Sequence, residues 1–254
     1  MRTIIEASNI IKVYGETGGT FRALKEVSLE INEGEFIGIM GPSGSGKTTL
    51  LNIMSTVDKA TSGKILIDGI NISTIKENRL ARFRRDTIGF VFQDFNLLDN
   101  MTIRDNIALP LTLNNIKANT ILREVDELTN LLGIAEQLDK YPYELSGGQK
   151  QRTAICRALI TSPKVVFADE PTGALDSRSS SEVLKCFKNV NRKLGTTIVI
   201  VTHDAIAASY CDRIMFLKDG KITGRLDSNG DKEEFYKNIL NMLALMGGNA
   251  DELL

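Results

Sequence analysis

Residues Phe36–Met54 read FIGIMGPSGSGKTTLLNIM. The order of the parts decides the fold: an apolar run, a glycine-rich turn, then apolar residues at helical spacing. A run that stays apolar instead of alternating suits a strand buried on both faces, as in the middle of a parallel sheet. The turn GPSGSGKT, Gly41 to Thr48, fits G-x-x-x-x-G-K-[ST] in the strand–loop–helix setting that the pattern requires. Gly44 and Gly46 let the backbone curl so that successive N–H groups face one anion, and the following helix adds its positive N-terminal end. Lys47 supplies a point charge and Thr48 a hydroxyl able to ligate Mg2+. Gly41, Pro42, Ser43, Gly44, Ser45, Gly46, Lys47, Thr48 and Thr49 are thus predicted to hold a triphosphate.

Two further apolar runs, Val165–Ala168 and Ile198–Val201, have the same buried-strand character. Helical patterns lie at Lys47–Thr56, Gln149–Thr161 and Ser179–Leu194, and the alternation predicts a doubly wound α/β sheet. Ile4–Val13, Phe21–Ile31 and Gly63–Asp68 alternate more and predict a small antiparallel sheet. Between about Asp94 and Thr161 the strand signal vanishes and helical stretches follow one another, which predicts an inserted helical lobe. GETGG, Gly15–Gly19, is expected to be a surface loop.

The first of those runs ends in acid: Val165–Glu170 is VVFADE. Neighbouring side chains on a strand point to opposite faces, so Asp169 and Glu170 are given different tasks. Asp169 is assigned to Mg2+ and Glu170 to the attacking water as general base. Pro171 disfavours the helical region for the residue before it, so Glu170 is expected to be extended at the sheet's C-terminal edge.

Leu145–Arg152 reads LSGGQKQR, a second flexible turn feeding a helix N-terminus and hence a second anion site. A self-contained triphosphatase has no use for it; a head-to-tail pair, in which each nucleotide lies between the phosphate loop of one copy and this turn of the other, does. The motif resembles the signature of ABC ATPases. The resemblance implies that Ser146, Gly147, Gly148 and Gln149 contact the nucleotide of the opposite copy. It further implies that Tyr14 in KVYG stacks on adenine, and that Gln93 in VFQDFNLL joins core to lobe and senses Mg2+ and the γ-phosphate. Asp176 in GALD would cross the dimer interface, and His203 in VTHD, the single histidine, would touch the γ-phosphate. Catalysis is accordingly expected from Glu170, His203, Gln93 and Lys47, and metal binding from Thr48, Gln93 and Asp169. The implied architecture is a P-loop NTPase: a RecA-like core (about 1–93 and 162–226), a small antiparallel β subdomain, an inserted helical subdomain (about 94–161) and a C-terminal helical tail (about 231–254).

Composition limits the setting. The formal net charge of −1 gives no electrostatic reason to expect nucleic acid or an anionic membrane as partner. Cys156, Cys186 and Cys211 lack metal or redox spacing and are expected to be reduced core residues. MRTIIEASNI has no signal-peptide pattern, and no apolar stretch approaches the ~20 residues of a membrane span. The basic run Lys76–Asp86 is expected to be a solvated helix face, and Phe235–Met246 a helix packed on the body of the domain.

FADEPTGALDS and THDAIAASYCDRI, with NLLD after Gln93, make the chain resemble the macrolide and lipoprotein-release branch, and within it the bacitracin-efflux (Bce) type. That implies an ATPase homodimer, cytoplasmic and peripheral on the inner face of the membrane, serving one permease docked near Ala108–Lys117 and often a sensor histidine kinase. Two alternatives stand beside it: an ATP-driven signalling or cell-division module that moves no substrate, and a soluble DNA-repair or translation protein. Against the last stand the single cassette and the missing long coiled coil.

Overall fold

The structure is a computed structural model that describes residues 2–15 and 19–247. Most of the Gly15–Gly19 loop and the end of the C-terminal tail lie outside the described residues. In chain order the strands are β1 (Thr3–Tyr14), β2 (Phe21–Asn32), β3 (Phe36–Met40), β4 (Ser62–Ile67), β5 (Ile70–Asn71), β6 (Ile88–Val91), β7 (Val165–Asp169), β8 (Thr197–Val201), β9 (Arg213–Lys218) and β10 (Lys221–Asp227). The helices are α1 (Lys47–Met54), α2 (Glu77–Thr87), α3 (Ile103–Leu113), α4 (Ala118–Leu132), α5 (Gly147–Leu159), α6 (Ser177–Leu194), α7 (Ala205–Ala208) and α8 (Lys232–Gly247).

The main sheet has the order β10-β9-β3-β8-β7-β6. Its five inner and far strands run parallel, and β10 pairs antiparallel with β9 at one edge. Alternate residues of the same strands feed two cores. Phe36, Val166, Ala168, Ile198, Ile200 and Phe216 pack toward α3, α5, α6 and α8. Ile37, Ile39, Val165, Phe167, Val199 and Val201 pack toward α1 and the second sheet. Both faces are covered, which is why these strands carry no polar alternation.

The second sheet, β2-β1-β4-β5, is antiparallel throughout. Between β6 and β7 the described elements are all helical. Thr102 caps α3, accepting from Asp105 N–H, and Gly133 ends α4 in the left-handed region at φ 67°. Pro110 sits inside α3. In α2 only Leu80 is buried, while Lys76, Arg79 and Arg82 are exposed. In α8, Phe235 and Ile239 are fully buried against the main core. All three cysteines are free; Cys156 and Cys211 are buried, whereas Cys186 is only half-buried and is not a full core residue.

The parallel core brings three strand exits side by side, since β3, β8 and β7 are neighbours. Their C-terminal ends lead to Gly41, Thr202 and Glu170. This is the edge where open α/β sheets bind ligands.

Candidate active site

The turn between β3 and α1 is dictated by close packing. A Cβ at Gly41 would lie 1.9 Å from the Leu217 carbonyl oxygen of β9, so no side chain fits there. Gly46 has φ 103°, and a Cβ on it would approach the Ala23 carbonyl oxygen to 2.7 Å. Gly46 is also the N-cap of α1 and offers no side-chain hydrogen bond to it, so no cap occupies the first N–H groups of that helix. Lys47 is buried, and its ammonium donates to the carbonyls of Gly41 (2.8 Å) and Pro42 (3.0 Å). Burial pulls its pKa below the usual lysine range, opposed by the charges of Glu170 and Asp169. Ser45 is buried with no partner for its hydroxyl among the described residues.

Facing the loop are the ends of β7 and β8. Thr48 Oγ1 donates to Asp169 Oδ1 over 3.3 Å. Burial raises the Asp169 carboxyl above its usual range, the Thr48 hydrogen bond opposes this, and the Glu170 charge adds to it. Glu170 is not extended, contrary to the expectation drawn from Pro171: its φ is +44°. The chain leaves the strand at this residue. Its N–H still donates to Val201 O (2.9 Å), while its carbonyl already accepts from Gly173 N–H (2.9 Å) in the next turn. Those two bonds hold a left-handed backbone that costs ~1–2 kcal/mol in a residue with a Cβ. The bend turns the carboxylate onto the loop after β8, where Oε1 lies 2.9 Å from His203 Nδ1 and Oε2 accepts from His203 N–H at 3.4 Å. The histidine side chain is 73% exposed.

Tyr14, Ser43, Gly44, Gly46, Lys47, Thr48, Thr49, Glu170 and His203 line one cleft of about 600 Å3, joined by Phe21 and Ala23. Sequence reading had not singled out those last two. The Ser146–Gln149 turn is not in that lining. It is exposed at Ser146, which caps α5: Ser146 Oγ accepts from Gln149 N–H (3.4 Å), and Gln149 Oε1 accepts from Ser146 N–H (3.0 Å). Asp176 caps α6, accepting from the N–H groups of Arg178 and Ser179 at 3.0 Å each. Gln93 lies against Gly173, whose Cβ would come within 3.2 Å of its amide carbon.

One polar residue of the LSGGQKQR stretch has a role that the motif did not indicate. Gln151, fully buried, donates to Pro171 O (2.8 Å) and Phe92 O (3.3 Å), tying α5 to the segments beside Glu170 and Gln93. Its side-chain oxygen has no partner among the described residues.

The donors fit a hard divalent cation in part. A half-buried carboxylate beside a hydroxyl, with its pKa still raised despite the nearby Lys47 charge, is an oxygen pair suited to a further cation. Among the described residues no group of three or more His, Cys, Asp or Glu gathers into a full metal shell. A cation here would draw its remaining ligands from phosphate oxygens and water, the habit of Mg2+.

Comparison with known proteins agrees with this chemistry. A family model described as ABC transporter matches residues 24–173. The uncharacterized ABC transporter ATP-binding protein YvcR of Bacillus subtilis is 47% identical over 98% of this chain and 97% of its own length. The bacitracin export ATP-binding protein BceA of Halalkalibacterium halodurans is 47% identical over 96% of this chain and 97% of its own. Among solved structures, the dimeric post-hydrolysis state of the ATP-binding cassette MJ0796, bound to ADP and Pi, superimposes with a TM-score of 0.81 at 39% identity, covering 89% of this chain and 100% of that one.

Proposed function

The chain belongs to the ABC transporter ATP-binding family, and we propose that it powers resistance to bacitracin-like antimicrobial peptides as one half of a Mg-ATP-joined homodimer. It is the ATP-binding, ATP-hydrolysing subunit of a transporter. The observation that carries the reading is a division of parts. One cleft holds Lys47, Thr48, Glu170 and His203, while the Ser146 turn, a second helix N-terminus, lies outside its lining.

Lys47 leaves the carbonyls of Gly41 and Pro42 for the β- and γ-phosphates, while the open N–H groups around Gly46 receive the phosphate oxygens. Thr48, Asp169 and Gln93 would hold Mg2+, which would supply neutralisation of phosphate charge. Glu170 accepts a proton from the attacking water. His203, already bonded to Glu170, keeps that carboxylate aimed and lies on the open side of the cleft, where a γ-phosphate would meet it. Ser146 and Gly147 of a second copy complete the cage, with Asp176 at the junction.

The same reading assigns a permease as partner. A largely apolar cleft of about 540 Å3 lies between α2 and α3, lined by Val57, Phe90, Leu109, Pro110 and Leu113, with Arg84 and Arg85 on its rim. This supports docking near Ala108–Lys117. No helix among the described residues is long and apolar enough to cross a membrane, so the permease would hold the chain at the inner face. A sensor kinase would be reached through that permease.

Glu170→Gln tests the core of the proposal. It should keep ATP affinity and lower turnover by about 100-fold or more, the weight of a general base. ATP should then accumulate a dimer on gel filtration, and cells carrying the variant should lose bacitracin resistance. Full turnover by Glu170→Gln overturns the mechanism; a dimer with unchanged resistance overturns the peptide-resistance assignment.

A further inference from the structure

Tyr14 is the last residue of β1 and is 41% exposed, yet its ring is tethered at the tip and covered on one face. Its hydroxyl donates to Asp58 Oδ2 over 2.8 Å. Lys12, two residues earlier on the same strand and therefore on the same side, sets its ammonium 4.7 Å from the ring centroid. That ammonium is itself fixed, donating to Asp58 Oδ1 (2.7 Å) and to the Lys59 carbonyl (2.7 Å). Only 12% of the Lys12 side chain is exposed, so the contact is shielded from water and salt.

Resting on the reading of Tyr14 as the adenine platform, we infer that Asp58 and Lys12 are positioning residues for nucleotide binding: they lock the Tyr14 ring with one face covered and the other open to the base. Asp58 belongs to the turn just past α1, the helix opened by the phosphate loop. Base platform and phosphate cradle are therefore fastened to one rigid helix, at opposite ends of it. A ring free to rotate would lose rotamer freedom each time a nucleotide bound; a locked ring does not. The protonation states suit the role. Burial raises the Tyr14 phenol, opposed by Thr49 and helped by Asp58, so the hydroxyl remains a donor. Burial acts against the Asp58 charge, but hydrogen bonds from Lys12, Tyr14 and the Lys59 backbone outweigh it, and the carboxyl is held below its usual range.

The test separates base from phosphate. Calorimetric titration of the full chain with ATP and with inorganic tripolyphosphate should show Asp58→Ala and Lys12→Met each weakening ATP roughly 2- to 10-fold. Tripolyphosphate should bind as before, which also reports an intact fold. In a Tyr14→Ala background neither change should weaken ATP further. The chain has no tryptophan, so Tyr14→Trp gives a single tryptophan, excited selectively at the red edge, whose anisotropy should fall when Lys12→Met is added. Equal losses for both ligands, or undiminished losses in the Tyr14→Ala background, overturn the inference. Should Tyr14→Ala itself leave the ATP-to-tripolyphosphate ratio unchanged, the adenine platform falls and the inference with it. A Tyr14→Ala loss beside an indifferent Asp58→Ala removes the inference alone.

Discussion

The phosphate loop and the Ser146 turn both bring glycine to a helix N-terminus, but the two ends are finished differently. Gly46 leaves the start of α1 without a side-chain cap, and the nearby cation is parked on loop carbonyls. At α5 the chain satisfies its own donors through the reciprocal Ser146–Gln149 box. An uncapped helix start beside a lysine is ready for an anion at any time. A capped one must give up part of its box first. The difference teaches that one helix start is left for a ligand, whereas the other is closed by its own side chains until something displaces them.

The largest effects should come from breaking the two sites separately. Lys47→Ala removes a buried, hydrogen-bonded charge and should weaken ATP binding by roughly 100-fold. Ser146→Arg should leave ATP affinity of the single chain within about twofold, because that turn does not line its cleft, yet stop turnover by crowding the partner's nucleotide. If the sites are shared, mixing the two variants places both lesions on one site and leaves the other intact. Recovered turnover in the mixture, which neither variant shows alone, supports the sharing; a mixture as inactive as either variant contradicts it.

A smaller effect sharpens the conformational side. Gly46→Ala forces a Cβ into a left-handed residue against the Ala23 carbonyl and should cost about 2 kcal/mol. Calorimetry should register this as a fall in Tm of about 4–8 °C. The mildest change is Ser146→Ala. It loses a cap whose accepting bond is already long at 3.4 Å, and should cost about 1 kcal/mol or less. Chemical denaturation of apo protein measures it, and a much larger loss would mean that the turn is not the self-contained unit described above.

Local patterns made much of the fold legible. Phe36–Met40, Val165–Ala168 and Ile198–Val201 announced themselves because strands covered on both faces need no polar residues. β6 was harder: IGFV is four residues long and follows directly on a basic helix, so its periodicity has no room to develop. The phosphate-loop residues could be named because their spacing is imposed within a single turn. Lys12 and Asp58 could not, since the contact that joins them spans 46 positions and depends on how β1 lies beside the end of α1. The bend at Glu170 was hidden for a related reason. Pro171 restricts its neighbour but does not say which of the remaining conformations the Val201 and Gly173 hydrogen bonds will select.

Gln151 sets how much slack the molecule has. A hydrogen bond holds only within a narrow range of length and angle, so a side chain bridging α5, Phe92 and Pro171 works like a pin through three plates. Its two legs are unequal, 2.8 Å to Pro171 and 3.3 Å to Phe92. Any displacement of α5 is therefore felt at both places, the turn that carries Glu170 and the segment leading to Gln93, through one side chain.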